Sequence, residues 1–312
     1  MSSIPDLGYT LIYENMKIIV THTSPDLDAI TSCWLIKKFL PGWQDAIVKY
    51  VLAGNRIQES KNTNVNPIEV IGKDEVIHTD TGLGFFDHHQ INDSNICASS
   101  LVWEYLKKQE VISGEGTEDK KEALDRLIKI VTEIDNFKEV FWPDPTADHY
   151  DFSLISIIDG LKMEKPGQDE YYLSFISDCL DAILHEFENR IWAEKEIKEK
   201  GYEFETRFGK ALGIETINDT TIKLGQKMGY AMVIRKDPRK GYVRIKARPN
   251  KYQKTDEIDL TLAYEKLKKI DPEATWFLHI SKKMLLNGTP KNPKMKPTKL
   301  SLNDIIETLR SI

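Results

Sequence analysis

The chain has 312 residues, 40% of them hydrophobic and 29% charged, enough for about two globular domains of ordinary size. It has no uncharged apolar run of about 18 residues, and the start MSSIPDLGYT lacks the basic-then-apolar order of a secretory leader, so the expectation is a cytoplasmic protein rather than a spanning or exported one. The net charge of -6 argues against non-specific duplex binding, and Cys33, Cys97 and Cys179 lie too far apart for a disulfide framework or zinc knuckle and read as buried small residues.

Residues 16–22 (MKIIVTH) predict a short apolar strand, and Asp26–Leu40 places Ile30, Trp34, Leu35 and Phe39 at helical spacing. Runs at Ala46–Leu52 and Glu75–Thr79 predict two more strands, giving the alternation of a parallel α/β sheet. Helical patterns follow at 97–109, 119–140 and 151–163, then a long Glu- and Lys-rich one at 169–207. Trp142, Pro143 and Pro145 predict a shaped surface loop between them.

Beyond Gly209 the texture changes. Tyr230–Arg235 and Tyr242–Arg248 predict strands joined by the turn KDPRKG, followed by a helix at 260–269, a strand at Thr275–Ile280 and a last helix at 301–311. The expected fold is α/β: an N-terminal parallel-sheet domain over 1–165, a long connecting helix within 166–208, and a smaller α+β domain over 209–312.

Charge is unevenly spread. Residues 235–254 hold nine Lys and Arg against the single acid Asp237, and 281–300 hold six lysines and no acid. One basic run reads as a solvated face; two in the same third of an acidic chain favour a domain that binds anions.

Three segments hold nearly all the metal-type residues of the first half. His22-Thr-Ser-Pro-Asp26-Leu-Asp28 sits where the first strand gives way to its helix, Thr79-Asp80-Thr81-Gly82 follows the third strand, and Asp87-His88-His89 comes shortly after. In a parallel sheet such loops share one edge, which is where ligands bind. Carboxylates and imidazoles without thiolates suit Mn²⁺ or Mg²⁺. Several aspartates in one crevice would repel unless divalent ions balanced them. Asp26 equally reads as a helix N-cap; His78 reads as structural and His149 as a surface residue.

These residues resemble the motifs of the DHH phosphoesterase superfamily: HxxxDxD, a lone Asp, DHH, and a fourth Asp on a later helix, here within Glu133-Ile134-Asp135-Asn136. The motif detail, including DHHQ at Asp87–Gln90, is most similar to the melanocyte-proliferating-gene family of DHH exonucleases. The resemblance spans residues 16–140 and implies a DHH-type domain using two divalent cations, Mn²⁺ or Mg²⁺, to hydrolyse phosphoesters. It implies that His22 and Asp26 hold one ion, that Asp28, His88 and Asp135 hold the other, and that Asp80 bridges them. It further implies that Asp87 orients a neighbouring imidazole and that His89 faces the substrate phosphate.

In such enzymes the second domain selects the substrate. Here that points to Arg248, Asn287, Gly288 and Lys291, although a lysine- and proline-rich stretch at 289–299 replaces the glycine-glycine-histidine segment of the exonucleases. Tyr242 and Tyr252 could stack bases. The readings are a phosphodiesterase or exonuclease on short single-stranded RNA, DNA or nucleotides, a small-phosphate hydrolase (inorganic pyrophosphatase or cyclic-dinucleotide phosphodiesterase), or a non-catalytic phosphate-binding module. Neither oligomeric state nor the physiological ion is legible.

Overall fold

A computed structural model describes residues 15–58, 66–249, 258–289 and 291–311. Tyr252, Lys251 and Lys254 of the first basic window lie outside the described residues. The fold is mixed α/β, in two compact units, residues 1–185 and 186–312.

The first unit is built on β1 (Lys17–His22), whose Ile18, Ile19 and Val20 are buried. Such a continuous apolar run suits a strand covered on both faces. β2 (Ile47–Val51) and β4 (Asp74–His78) pair with it in parallel, one on each side, setting Ile19 between Val48 and Ile77. β3 (Glu69–Ile71) adds an antiparallel edge through the turn at Gly72 (φ +66°), so the sheet order is β2-β1-β4-β3. A three-residue strand gives too short a pattern to be read from sequence.

Helix α1 (Leu27–Phe39) is buried from Leu27 to Ile36, because it packs against α2 (Ala98–Lys108) and α3 (Glu118–Asp135) as well as β1. Burying each Leu or Ile of this kind stabilises the fold by about 1.5–3 kcal/mol. Within this layer Cys33 and Cys97 are buried, and burial pushes both thiols above their usual range. Cys97 Sγ lies 3.2 Å from both Ser99 Oγ and Thr132 Oγ1. Cys179 is only half-buried.

The helix predicted over 119–140 stops at Asp135, because Phe137 takes a left-handed φ of +55° and a 3₁₀ turn, Lys138–Phe141, follows. Another 3₁₀ turn, Asp148–Phe152, precedes α4 (Leu154–Glu164), capped by Ser153. His149 is exposed.

Helix α5 (Asp169–Lys200) is shorter than the 169–207 pattern. Gly201 ends it: a Cβ there would lie 2.3 Å from Ile197 O. The next residues, Tyr202–Thr206, form β5, with Phe204 buried between exposed Glu203 and Glu205. That period of two belongs to a strand.

The second unit is a six-stranded sheet in the order β5-β6-β7-β8-β10-β9. Its members are β6 (Gly209–Glu215), β7 (Met232–Lys236), β8 (Val243–Ala247), β9 (Trp276–Leu278) and β10 (Met284–Asn287). Pairings are antiparallel except β6 with β7, which α6 (Thr220–Lys227) connects. α7 (Thr261–Ile270) and α8 (Leu302–Arg310) share a core with Met232, Ile234, Ile245 and Leu285. Ser301 and Asp304 close α8 with a reciprocal capping box. No helix among the described residues is long and apolar enough to cross a membrane.

Candidate metal centre

β1 and β4 run side by side in parallel, so the loops leaving His22 and His78 emerge at one edge of the sheet. His22 is the last residue of β1. Asp26 caps α1, accepting the N–H of Ala29 at 3.0 Å, while its other oxygen lies 3.8 Å from His22 Nε2. The cap takes one oxygen of Asp26 and leaves the other turned toward His22, so the cap does not compete with the ligand-type expectation.

Asp80 is fixed by its backbone. Thr79 N–H donates to Val20 O and Asp80 N–H to Phe86 O, both at 2.9 Å, tying the loop to β1 and to its own return. Asp80 and Leu83 have left-handed φ of +53° and +51°, with Gly82 at +78° between them. Aspartate is among the few residues that enter this region at modest cost. Asp87 braces the loop from inside: one oxygen accepts Leu83 N–H at 2.7 Å, and the other accepts His89 N–H at 3.1 Å and pairs with His89 Nδ1 at 2.7 Å. The imidazole that Asp87 orients is thus that of His89, whose exposed ring keeps Nε2 without a partner among the described residues.

The side chains expected as ligands converge. His22, Asp26 and Asp80 offer donor atoms within 4.8 Å of one another, and so do Asp28, His88 and Asp135. Asp80 faces both groups. Its Oδ2 lies 3.2 Å from His22 Nε2, while its Oδ1 lies 3.6 Å from His88 Nε2. His88 Nε2 is also 3.5 Å from Asp135 Oδ2 and 3.9 Å from Asp28 Oδ2. Asp28 has a second task, since its two oxygens accept the N–H groups of Ala98 and Ser99 at the start of α2.

The donor set suits a hard or borderline divalent cation, with carboxylate oxygen and imidazole nitrogen but no thiolate. One atom calls for such a partner: Asp80 Oδ1 is buried and accepts no hydrogen bond among the described residues. A buried acceptor left unpaired costs free energy that a cation would offset.

The electrostatics agree. Burial, then the charges of Asp28 and Asp26, raise the Asp80 carboxyl to about 7 against the pull of His22. Burial, with Asp28, Asp26 and Asp80 beyond it, raises Asp135 to about 8, and Asp28 is raised chiefly by burial. Burial opposes the charge on His22, but the Asp80 hydrogen bond, the Thr23 carbonyl and Asp26 outweigh it and lift the imidazole to about 9. His89 is also raised, because its bond to Asp87 outweighs burial.

The loop's supports carry no signal in the sequence. Arg56 donates to Gly82 O at 2.8 Å and pairs with Glu69 of β3, which in turn lies 3.2 Å from His78 Nδ1. His78 is buried in this triad, and burial with the neighbouring Arg56 charge lowers its pKa, as befits a structural residue. A Cβ on Gly82 would lie 2.6 Å from Arg56 Cγ. Asp169, at the start of α5, accepts Ser24 N–H at 3.1 Å and holds the first loop. These partners come from separate segments without a local pattern, so reading along the chain misses them.

The residues expected to bind substrate belong to the second unit. Arg248 is exposed just beyond β8, 3.4 Å from Gly229 O, and Lys291 is exposed. Gly288 has φ +78° and lies under the ring of Tyr242. Asn287 requires a correction: it is fully buried, its amide donating to Thr275 O and Lys296 O and its oxygen accepting Thr298 N–H. With both amide hydrogens donated and the side chain fully buried, Asn287 ties Thr275, Lys296 and Thr298 together instead of facing a substrate.

No family model and no curated protein matches the chain. Solved structures similar to it include a pGpG-specific phosphodiesterase, PggH from Vibrio cholerae (12% identity, TM-score 0.30, covering 94% of this chain and 98% of that one). The DHH domain of a protein described as a member of a ribosomal-protein family has 12% identity and a TM-score of 0.31, covering 95% of this chain and 86% of that one. A candidate family II inorganic pyrophosphatase from Methanococcus jannaschii has 14% identity and a TM-score of 0.21, covering 94% and 99%.

Proposed function

We propose that the chain is a DHH-type phosphoesterase, a divalent-cation-dependent hydrolase that cleaves phosphodiester bonds in short single-stranded nucleic acids or nucleotides. The observation that carries this reading is Asp80: one carboxylate turns one oxygen toward His22 and the other toward His88, at the meeting of two donor groups. His22 and Asp26 would hold one ion, Asp28, His88 and Asp135 the second, with Asp80 shared. Mn²⁺ fits this mixed oxygen and nitrogen set, and Mg²⁺ is the second choice.

Cations in these positions would supply positive charge to the phosphoryl group and ease deprotonation of the attacking water. The chain's own residues do the rest. The left-handed loop fixes the Asp80 carboxylate before substrate arrives, so little reorganisation remains at the moment of reaction. Asp87 holds His89 by Nδ1 and favours its protonated form, which leaves Nε2 facing outward, where as Nε2–H it would donate to a phosphate oxygen and supply a proton to the leaving group.

The test is an assay of purified protein with Mn²⁺ on a 5-nucleotide RNA, on pyrophosphate and on cyclic di-AMP. Hydrolysis of the RNA, lost on chelation and absent in Asp80→Asn, is expected. Turnover of pyrophosphate alone would replace the phosphodiesterase assignment with a small-phosphate hydrolase, and silence on all three would leave a phosphate-binding module.

A further inference from the structure

The second unit contains a pocket of about 200 Å³ between the β6–α6 connection, the β7–β8 turn and the end of β10. Arg235, Arg239, Lys240 and Arg244 line it, against two acids, Asp219 and Asp237. We infer that it binds a small phosphate anion of one or two phosphate groups. The site is built from the second unit alone and does not rest on the metal centre.

The two acids do not balance the four cations. Asp219 serves two arginines at once, Arg235 Nε at 2.9 Å and Arg244 Nη1 at 2.8 Å. Asp237 is committed to the turn, accepting the N–H groups of Arg239 at 2.8 Å and Lys240 at 3.1 Å. It stays 3.9 Å from both Arg235 and Arg239. Lys240 has no carboxylate within salt-bridge distance among the described residues and lies 5.9 Å from the centre of the Tyr242 ring.

Arg235 is only 6% exposed and is anchored through Nη1 to Thr216 O at 2.9 Å, so one guanidinium is held in place before any ligand arrives. Planar guanidinium groups match phosphate oxygens in pairs, and at a partly desolvated site such contacts are among the stronger hydrogen bonds. The wall is fixed too. The Tyr242 ring lies so close to Gly288 that a Cβ there would fall 2.1 Å from Cδ1. The volume sets the size of the ligand, because sites for drug-sized molecules run to about 300–1,000 Å³.

The experiment uses the full chain carrying Asp80→Asn, in EDTA, so that cation-bound phosphate in the first unit does not contribute. Phosphorus NMR and calorimetry with inorganic phosphate and pyrophosphate should show saturable binding, one per chain, that weakens with salt. Arg239→Glu and Lys240→Glu, at exposed positions, should each weaken it roughly tenfold or more. Lys227→Glu, a charge-matched change at the exposed far end of α6, about 12 Å along the helix from Asp219, should leave it within about twofold, as expected for a surface charge beyond a Debye length. Absence of saturable binding overturns the inference, and so does an equal loss in Lys227→Glu. AMP binding more tightly than pyrophosphate would overturn the assigned ligand size.

Discussion

Asp28, on α1, accepts the backbone N–H of Ala98, seventy residues away at the start of α2, at 2.6 Å. With Ser99 N–H on its other oxygen at 2.8 Å, this carboxylate joins two helices and also faces His88. Asparagine has one acceptor where the carboxylate has two. Asp28→Asn should therefore cost about 1–3 kcal/mol of stability even without metal, from the helix N–H left unpaired. Urea denaturation in EDTA measures it; an unchanged midpoint would leave the tie between α1 and α2 without energetic weight.

Asp80→Asn should act in the opposite sense. Asparagine tolerates the left-handed φ and removes a buried carboxyl that its surroundings disfavour when charged. In EDTA at pH 8 its melting temperature should equal or exceed that of wild type. Mn²⁺ at about a hundredfold excess over Kd should raise the wild-type melting point by on the order of 5–10 °C, and the variant much less. An equal rise in both would remove Asp80 from the centre.

The metal-free protein should lose stability as pH rises. Asp80 and Asp135 titrate near 7 and 8 when folded, against 3.8 as the reference value, so between these limits the folded chain binds more protons than the unfolded chain. His22, lifted from 6.5 to about 9, stabilises the fold below 6.5, and that contribution disappears as pH passes 9. The aspartate contributions fall from about pH 4 to pH 8 and the His22 contribution from about pH 6.5 to pH 9, so their sum declines across the whole range. Melting curves in EDTA across this range should show the fall. With Mn²⁺ present the slope should flatten or reverse, because the ion competes with those protons.

His89→Asn should separate chemistry from cation binding. If His89 supplies the proton, the variant should lose roughly 10²- to 10⁴-fold in kcat while Mn²⁺ affinity by calorimetry stays near wild type. The alkaline limb of the pH–rate profile should disappear with the imidazole. A variant that instead loses Mn²⁺ affinity would make His89 a ligand.

Gly82→Ala tests the clamp on the loop that carries Asp80. The added methyl meets Arg56 Cγ at 2.6 Å, and the residue keeps φ +78°, so a cost of about 1–3 kcal/mol is expected from strain. Arg56→Met removes the bond to Gly82 O without that strain. Both should weaken Mn²⁺ binding, measured by calorimetry; wild-type affinity in Arg56→Met would show that the loop holds its shape unaided.

His22, Asp26 and Asp80 are legible because they closely follow the apolar strands β1 and β4, whose parallel pairing puts the strand ends at one edge; Asp135 is legible because it ends an amphipathic helix, and Asp28 and His88 because they stand in the HxxxDxD and DHH patterns. The Arg56, Glu69 and His78 triad is not legible, since it joins a loop, an edge strand and a central strand through side chains alone. In the second unit β6 and β10 escape the pattern: GKALGIE carries two glycines, and MLLN is too short to separate strand from helix. β5 reads as helix because its glutamates continue the composition of α5. Asn287 looks like a turn residue, as Asn-Gly usually is, and only the three groups around its amide reveal a brace.

The cysteines have a practical consequence. Cys33 and Cys97 are sealed within the first unit with thiols that resist ionisation, whereas Cys179 on α5 is partly open. The thiolate is what attacks maleimide or nitroxide reagents, and although partial burial and the Asp178 charge raise the Cys179 thiol too, its exposure makes it the address such reagents reach first. A spin label there would share the first unit with any paramagnetic ion among the aspartates, and magnetic relaxation could then follow loading and release of that ion without engineering a new attachment point.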